Sequence, residues 1–321
     1  MLMRLGLAII IIDFFILTIH ASDLAPVGKY IASGVVTDFV LEDNRLYAAT
    51  EQGAVDIFDL LTTQRTDHLV LPAIKDFMGE DIHPRIYSVD ALRQKILIAC
   101  QGEGGFSNLY VHSEGSLHKI VDAEKEKMLI MKARFVDDHT VLLALLSNDY
   151  ILFDLATKTR QYCKQFSTYA FSDFCLNKLK KIFLTADESG SLYLVDVRNG
   201  EVIMEYKKGN VDKVFQVDYQ NDIIISGGQD RRVVIYKVGT EDYEVLQQDF
   251  LVYSVGLGPG ASLGTYADSD SHNIIVFSIE TMQVEYVLKG HKNPVSKICF
   301  YGEGRVLSAG TDQEILQWKI K

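Results

Sequence analysis

Proline and tryptophan are scarce in this 321-residue chain, at 5 and 1 residues, and cysteine stops at 4. Collagen-like chains need far more Gly and Pro, and disulfide scaffolds many more Cys, so both classes are excluded. Positive charge is also short: 32 basic residues face 43 acidic ones, for a formal net charge of -11. Binding to nucleic acid or to an anionic membrane needs a basic face that displaces counterions. No Lys/Arg run longer than three is present to build one, and neither partner is expected. What is plentiful is apolar: 48% hydrophobic residues place the chain among ordinary packed globules.

The longest apolar run lies at the front. Arg4 precedes Leu5 to Ile19, LGLAIIIIDFFILTI, and His20-Ala21-Ser22-Asp23 follows. A short basic start, an apolar stretch and a small residue at the cleavage point are the parts of a secretory signal, with Ala21 as the cleavage residue. A retained anchor is the weaker alternative, because the run is shorter than the ~20 residues of a membrane span. Asp13 in its middle also costs ~2.5 to 3.5 kcal/mol near the bilayer centre. The expected division is a signal peptide over 1–21 and a single exported domain over 22–321 that does not enter the membrane.

After the leader a period organises the chain. Seven runs share one layout, an alternating apolar strand, a short turn rich in Gly, Ser, Asp or Asn, and a second alternating strand. They extend from RLYAATEQGAVDIFDL at Arg45 to RVLSAGTDQEILQWKI at Arg305. Equivalent positions at Asp59, His112, Asp154, Asp196, Lys237, Ser278 and Lys319 are separated by 53, 42, 42, 41, 41 and 41 residues. A repeat of ~40 to 45 residues is the length of one four-stranded propeller blade. Each hairpin is preceded by an apolar run, such as VVTDFVL from Val35, and followed by a more polar one, such as Glu201 to Tyr206. Inner strands apolar on both faces and half-polar outer strands suit blades packed side by side. The expected fold is all-β, a seven-bladed β-propeller. Lys321 ends the chain one strand short, and residues 27–33, VGKYIAS, are expected to supply the outer strand of blade seven.

The last repeat resembles the WD40 family. Gly290-His291 precedes the inner strand, and Ser308, Asp312 and Trp318 follow at the family's spacing. The resemblance implies a hydrogen-bonded structural tetrad of His291, Ser308, Asp312 and Trp318 inside that blade. The repeat from Asp222 keeps Ser226 and Asp230 but has Tyr236 for the Trp and Gly209-Asn210 for the Gly-His. The other repeats depart further, so the period carries the reading.

Catalytic motifs do not emerge. A Ser, His and Asp within one repeat suggest a hydrolase at first sight, but no G-x-S-x-G elbow exists. Cys100, Cys163, Cys175 and Cys299 are 63, 12 and 124 residues apart, which matches no zinc spacing. The propeller map puts them on strands too far apart for disulfides, so buried free thiols are expected. Asp268-Ser-Asp-Ser-His272 lacks the Gly and distal Glu of a calcium loop and reads as a polar turn. The Gly-rich stretches at Gly102 and Gly256 open no helix that would cradle phosphate. No catalytic residue, metal ligand or cofactor is expected. The enzyme alternative is a metal-dependent hydrolase or lactonase at the channel mouth.

Function is therefore sought in loops on a rigid ring. The single interval of 53 adds about a dozen residues between blades one and two, around Ile74 to Pro84, and loops of this length tend to be functional. The neighbouring turn of blade two, Gln101 to Ser107, is also long, and both enlargements belong to the same face. Phe77, Met78, Ile82 and Phe106, ringed by Glu80, Asp81, His83, Arg85 and Glu103, compose a candidate protein-binding patch. In the alternative, Phe77 and Met78 fold back and plug the channel. The layout further resembles the accessory L-type proteins of periplasmic nitrate reductase systems, carried by His83 to Leu92 and Asp249 to Leu257. That resemblance implies a periplasmic, monomeric, non-catalytic assembly factor that docks a nitrate reductase subunit or its redox partners.

Overall fold

The computed structural model describes residues 21–302 and 304–320; the signal peptide expected over 1–21, apart from Ala21, lies outside them. Seven antiparallel sheets follow one another along the chain. Their innermost strands are Val36–Glu42, Ile86–Leu92, Ile130–Phe135, Phe171–Leu176, Val214–Gln220, Val255–Leu257 and Val295–Tyr301. In six of the sheets the chain then moves outward through the second, third and fourth strands, and in the seventh through the second and third. The molecule is a seven-bladed β-propeller, and every position marking the period lies at or next to the end of a third strand, from Asp59 to Lys319.

The core is a set of apolar layers, one between each pair of neighbouring blades. Leu97 and Leu109 of blade two pack on Phe135 and Val141 of blade three, and Leu184 and Leu194 of blade four on Val217 and Ile224 of blade five. Phe39 and Phe58 of blade one meet Leu307 and Ile315 of blade seven. Both faces of each sheet are thus buried against protein, which is why the second and third strands read as nearly continuous apolar runs.

Ring closure follows the expected route. Gly28–Ile31 pairs antiparallel with Glu314–Lys319 as the outer strand of blade seven. Tyr30 is buried there against Phe58, and its hydroxyl donates to Leu60 O at 3.1 Å. One strand was not foreseen. Ser22–Leu24 adds to blade six, parallel to Val284–Leu288, with Lys289 Nζ 2.6 Å from Asp23. Two consecutive N-terminal strands therefore serve two adjacent blades. The extra residues between blades one and two form a separate hairpin, Ile74–Lys75 paired with Asp81–Ile82.

Candidate functional site

One face of the ring carries the connections that enter each innermost strand and the turns between second and third strands. The 74–82 hairpin rises from this entry face. Its root is held by Ile74, which is buried. Its tip is a tight turn in which Asp76 Oδ1 accepts from Met78 N at 2.8 Å and Glu80 N at 2.9 Å. Gly79 supplies the left-handed corner at φ 81°, a conformation costly for residues with a Cβ. Lys75 and Asp81 pair across the strands at 2.8 Å. The turn so braced holds Phe77 and Met78 in water, 93% and 85% exposed. They do not plug the channel.

The other residues of the expected patch divide between two places. His83 and Pro84 pack on Gly53 in a turn of blade one, and Arg85 pairs with Glu51 of that turn at 3.0 Å. Glu103 and Phe106 belong to a 3-10 turn, Glu103–Gly105, that contacts the single helical turn Ala123–Glu126 on the opposite flank of blade two. Further round the same face stand exposed Leu146, Tyr169, Val211 and Phe250, each in a connection or turn of that side.

The axial channel holds what the sequence reading missed. The innermost strands are not apolar on both faces, as expected, because the face toward the axis has no neighbouring blade to pack against. Their third and fifth residues point there and include Asp38, Asp90, Lys132, Arg134, Asp173, Gln216, Asp218 and Lys297. These form a belt from blade to blade. Lys297 Nζ bonds Asp38 Oδ1 and also donates to Phe39 O at 2.7 Å. Asp38 Oδ2 accepts from Val89 N at 3.0 Å and Arg134 Nη2 at 3.1 Å. Lys132 Nζ is 2.6 Å from Asp173 Oδ1, and Asp173 Oδ2 accepts from Val217 N at 3.1 Å. Asp90 and Asp218 accept from Phe135 N at 2.7 Å and Leu257 N at 2.8 Å. Burial works to raise the Asp38 carboxyl, yet Lys297 and Arg134 beside it hold it below the usual carboxylate range. Asp90 and Asp218 lack so close a cation, and burial pushes them up.

The belt divides the channel into a vestibule of about 200 Å³ at the entry face and a chamber of about 470 Å³ at the other. The vestibule is built by an irregularity repeated in six blades. In each, a β-bulge leaves the second residue of the innermost strand without a partner. A bulge re-aims the extra side chain, and these residues, Thr37, Tyr87, Met131, Ser172, Phe215 and Ser296, all line the vestibule. A charged or amide residue inside otherwise apolar inner strands was the signal available in the sequence.

In blade seven, Trp318 Nε1 donates to Ser308 Oγ at 2.9 Å, and Ser308 Oγ lies 2.7 Å from His291 Nε2. Asp312 sits beside them with its carboxylate on Asn293 Nδ2 at 2.7 Å and Glu314 N at 2.8 Å. His291 Nδ1 has no hydrogen-bond partner among the described residues. Burial pushes the imidazole down to about 4. Ser308 is fully buried, out of reach of any substrate. Among the described residues no three His, Cys, Asp or Glu side chains are grouped to hold a metal. The four cysteines are free; Cys100 is buried as expected, Cys175 and Cys299 are half-buried, and Cys163 is exposed, because it lies on an outer strand, Thr159–Gln165.

These features define the class: a seven-bladed β-propeller with a hydrogen-bonded Trp-Ser-His chain in its closing blade. A family model described as "WD domain, G-beta repeat" matches residues 282–319, so the last blade is a WD40 repeat. E3 ubiquitin-protein ligase COP1 of Arabidopsis thaliana is 25% identical over 148 residues, 44% of this chain and 22% of that protein. Protein SOF1 of Saccharomyces cerevisiae is 26% identical over 169 residues, 51% of this chain and 33% of that one. The chain thus spans a third or less of these relatives' own length. The β-propeller domain of Myceliophteria thermophila Cps50 (Swd1) superimposes with a TM-score of 0.72 at 15% identity, covering 92% of this chain and 99% of that one. The expected periplasmic location is corrected by these findings, since the relatives belong to a plant and to fungi. The nitrate reductase reading presupposed that compartment and is not carried forward.

Proposed function

We propose that the protein is a non-catalytic interaction scaffold that presents its entry face, hairpin foremost, to another protein. One observation carries the reading: Phe77 and Met78 stand 93% and 85% exposed on a turn stiffened by Asp76 and the Lys75–Asp81 pair. Large apolar side chains held rigidly in water gain from burial in a partner's pocket without a large ordering cost. Aromatic anchors of this kind are what interface hot spots consist of. The fold supports the reading, since a propeller offers loops on a rigid frame.

The test compares wild type with a Phe77→Ser/Met78→Ser variant, immobilised at equal density and exposed to extract of the source organism. A partner bound through the hairpin is held at least about tenfold less by the variant, as expected for a hot spot, while the urea midpoint stays put. Equal capture by both proteins would refute the assignment. Charge reversal at Asp81 is a poorer probe, because Asp81 braces the hairpin through Lys75.

A further inference from the structure

We propose that the vestibule on the channel axis is a binding site for a small carboxylate. The inference is independent of the hairpin and rests on a count of donors against acceptors around the vestibule floor. Each oxygen of Asp38 and Asp173 already accepts from a lysine, an arginine or a backbone N–H. The donors are not used up in return. Lys132 Nζ has Asp173 Oδ1 as its one hydrogen-bond acceptor among the described residues, although an ammonium carries three N–H groups. Gln216, which lines the vestibule, uses its Oε1 to accept from Ser254 Oγ at 2.6 Å and Val255 N at 3.2 Å, and its amide N–H groups have no acceptor among the described residues. Thr37 Oγ1 and Ser172 Oγ are buried and have no hydrogen-bond partner among the described residues. Both line the vestibule because the bulges of blades one and four turn them inward.

Buried hydroxyls without partners are uncommon in native proteins, and each such group calls for an explanation. Surplus donors with saturated acceptors select a ligand rich in acceptors. Charge on the vestibule lining is balanced, Lys132 and Lys297 against Asp38 and Asp173, so the selection rests on the N–H and O–H donors. A cationic guest would meet two ammonium groups and no free carboxylate oxygen. The volume, about 200 Å³, equals roughly six or seven waters at ~30 Å³ each, which suits a small acid or a single acidic side chain.

Calorimetric titration of the full chain tests this with two probes, succinate and N-acetylglutamate amide, against sodium chloride at equal ionic strength and N-acetylglutamine amide. Binding of either carboxylate with the glutamine control silent is the expected result. Succinate binding identifies a free acid as the source, and binding of the blocked glutamate alone identifies an acidic side chain delivered by a docked protein. Thr37→Val/Ser172→Ala removes the unpartnered hydroxyls and should weaken binding about tenfold or more, in line with hydrogen bonds to a charged group. Its melting temperature should equal or exceed that of wild type, because neither hydroxyl bonds to the protein. Thr37→Ser/Ser172→Thr keeps both hydroxyls and should retain binding even if the first variant folds poorly. Heats indistinguishable from the salt control for both carboxylates, or equal affinity in the variant lacking the hydroxyls, would overturn the proposal.

Discussion

Acid should weaken the closing blade through one imidazole. His291 is buried beside Trp318, and burial lowers its pKa from 6.5 to about 4. In the unfolded chain the ring binds a proton below about pH 6.5, whereas in the fold it stays neutral until about pH 4. Between those values the unfolded state holds more protons, so stability present above pH 6.5 is lost as pH falls toward 4. Each tenfold difference in proton affinity is worth about 1.36 kcal/mol, so the loss from pH 7 to pH 4 comes to about 3 kcal/mol. Asp38 does not mimic this, because its lowered pKa affects stability only below the unfolded carboxylate value. Asp90 and Asp218, with raised pKa values, act in the opposite sense, their contribution being lost as pH rises through the folded value. His291→Asn isolates the effect. Blade five already uses Asn210 at this place, with Ser226 Oγ 2.5 Å from its Oδ1. The variant should be about 1 to 3 kcal/mol less stable than wild type at pH 7 from poorer packing, and this gap should close or reverse toward pH 4, because the variant's stability falls less steeply. Urea midpoints followed by fluorescence of Trp318, the one tryptophan, report this directly. Equal steepness in the two proteins would refute the reasoning.

Four other outcomes follow from the same geometry. Deleting residues through Ile31 removes the outer strand of blade seven with buried Tyr30, and the urea transition should broaden or vanish. Deleting through Leu24, which strips only the added strand of blade six, should lower the midpoint slightly. Lys297→Met takes a cation from buried Asp38 and should cost about 3 to 5 kcal/mol, the usual penalty for breaking a buried pair; a loss within 1 kcal/mol would show that Arg134 alone compensates the carboxylate. Ile74→Ala at the hairpin root should cost less than the usual ~2 to 5 kcal/mol of a core Ile and leave the midpoint of the ring nearly unchanged, while limited proteolysis near Phe77 accelerates.

The blade count and the route of closure were legible because both rest on local spacing. A hairpin repeated every 41 or 42 residues leaves its period in the chain whatever happens to individual side chains. The long interval likewise announced the 74–82 hairpin. The belt was illegible for the opposite reason. Lys297 and Asp38 are 259 residues apart and Arg134 and Asp38 are 96 apart, so each charge looks like an isolated exception within its own strand. The vestibule residues were hidden further by the bulges, which break the period of two by which strand faces are assigned. Ser22–Leu24 carries too few residues for a pattern to show.

Erosion of the repeat motif has a physical explanation in what the motif does. In blade seven Asp312 ties the turn after the second strand to Asn293 in the segment entering the blade. Blade five makes the same tie with Asp230, which accepts from Val211 N at 2.9 Å and lies beside Asn210. In blade four Asp187 takes the bond from Ser167, and in blade one buried Asp56 accepts from Ser33 N at 2.6 Å while also holding Arg65 and His68. Four blades thus fasten the entering chain with a carboxylate, and the residues around it differ each time. The apolar layers between blades supply the bulk of burial and impose no particular partner on that carboxylate. The fold of this chain therefore rests on the spacing and the layers more than on any one tetrad. Residues 282–319, the stretch matched by the family model, are where His291, Ser308 and Trp318 persist together. Blades one, four and five reach the same end with other side chains, which is why geometry identifies them where motif does not.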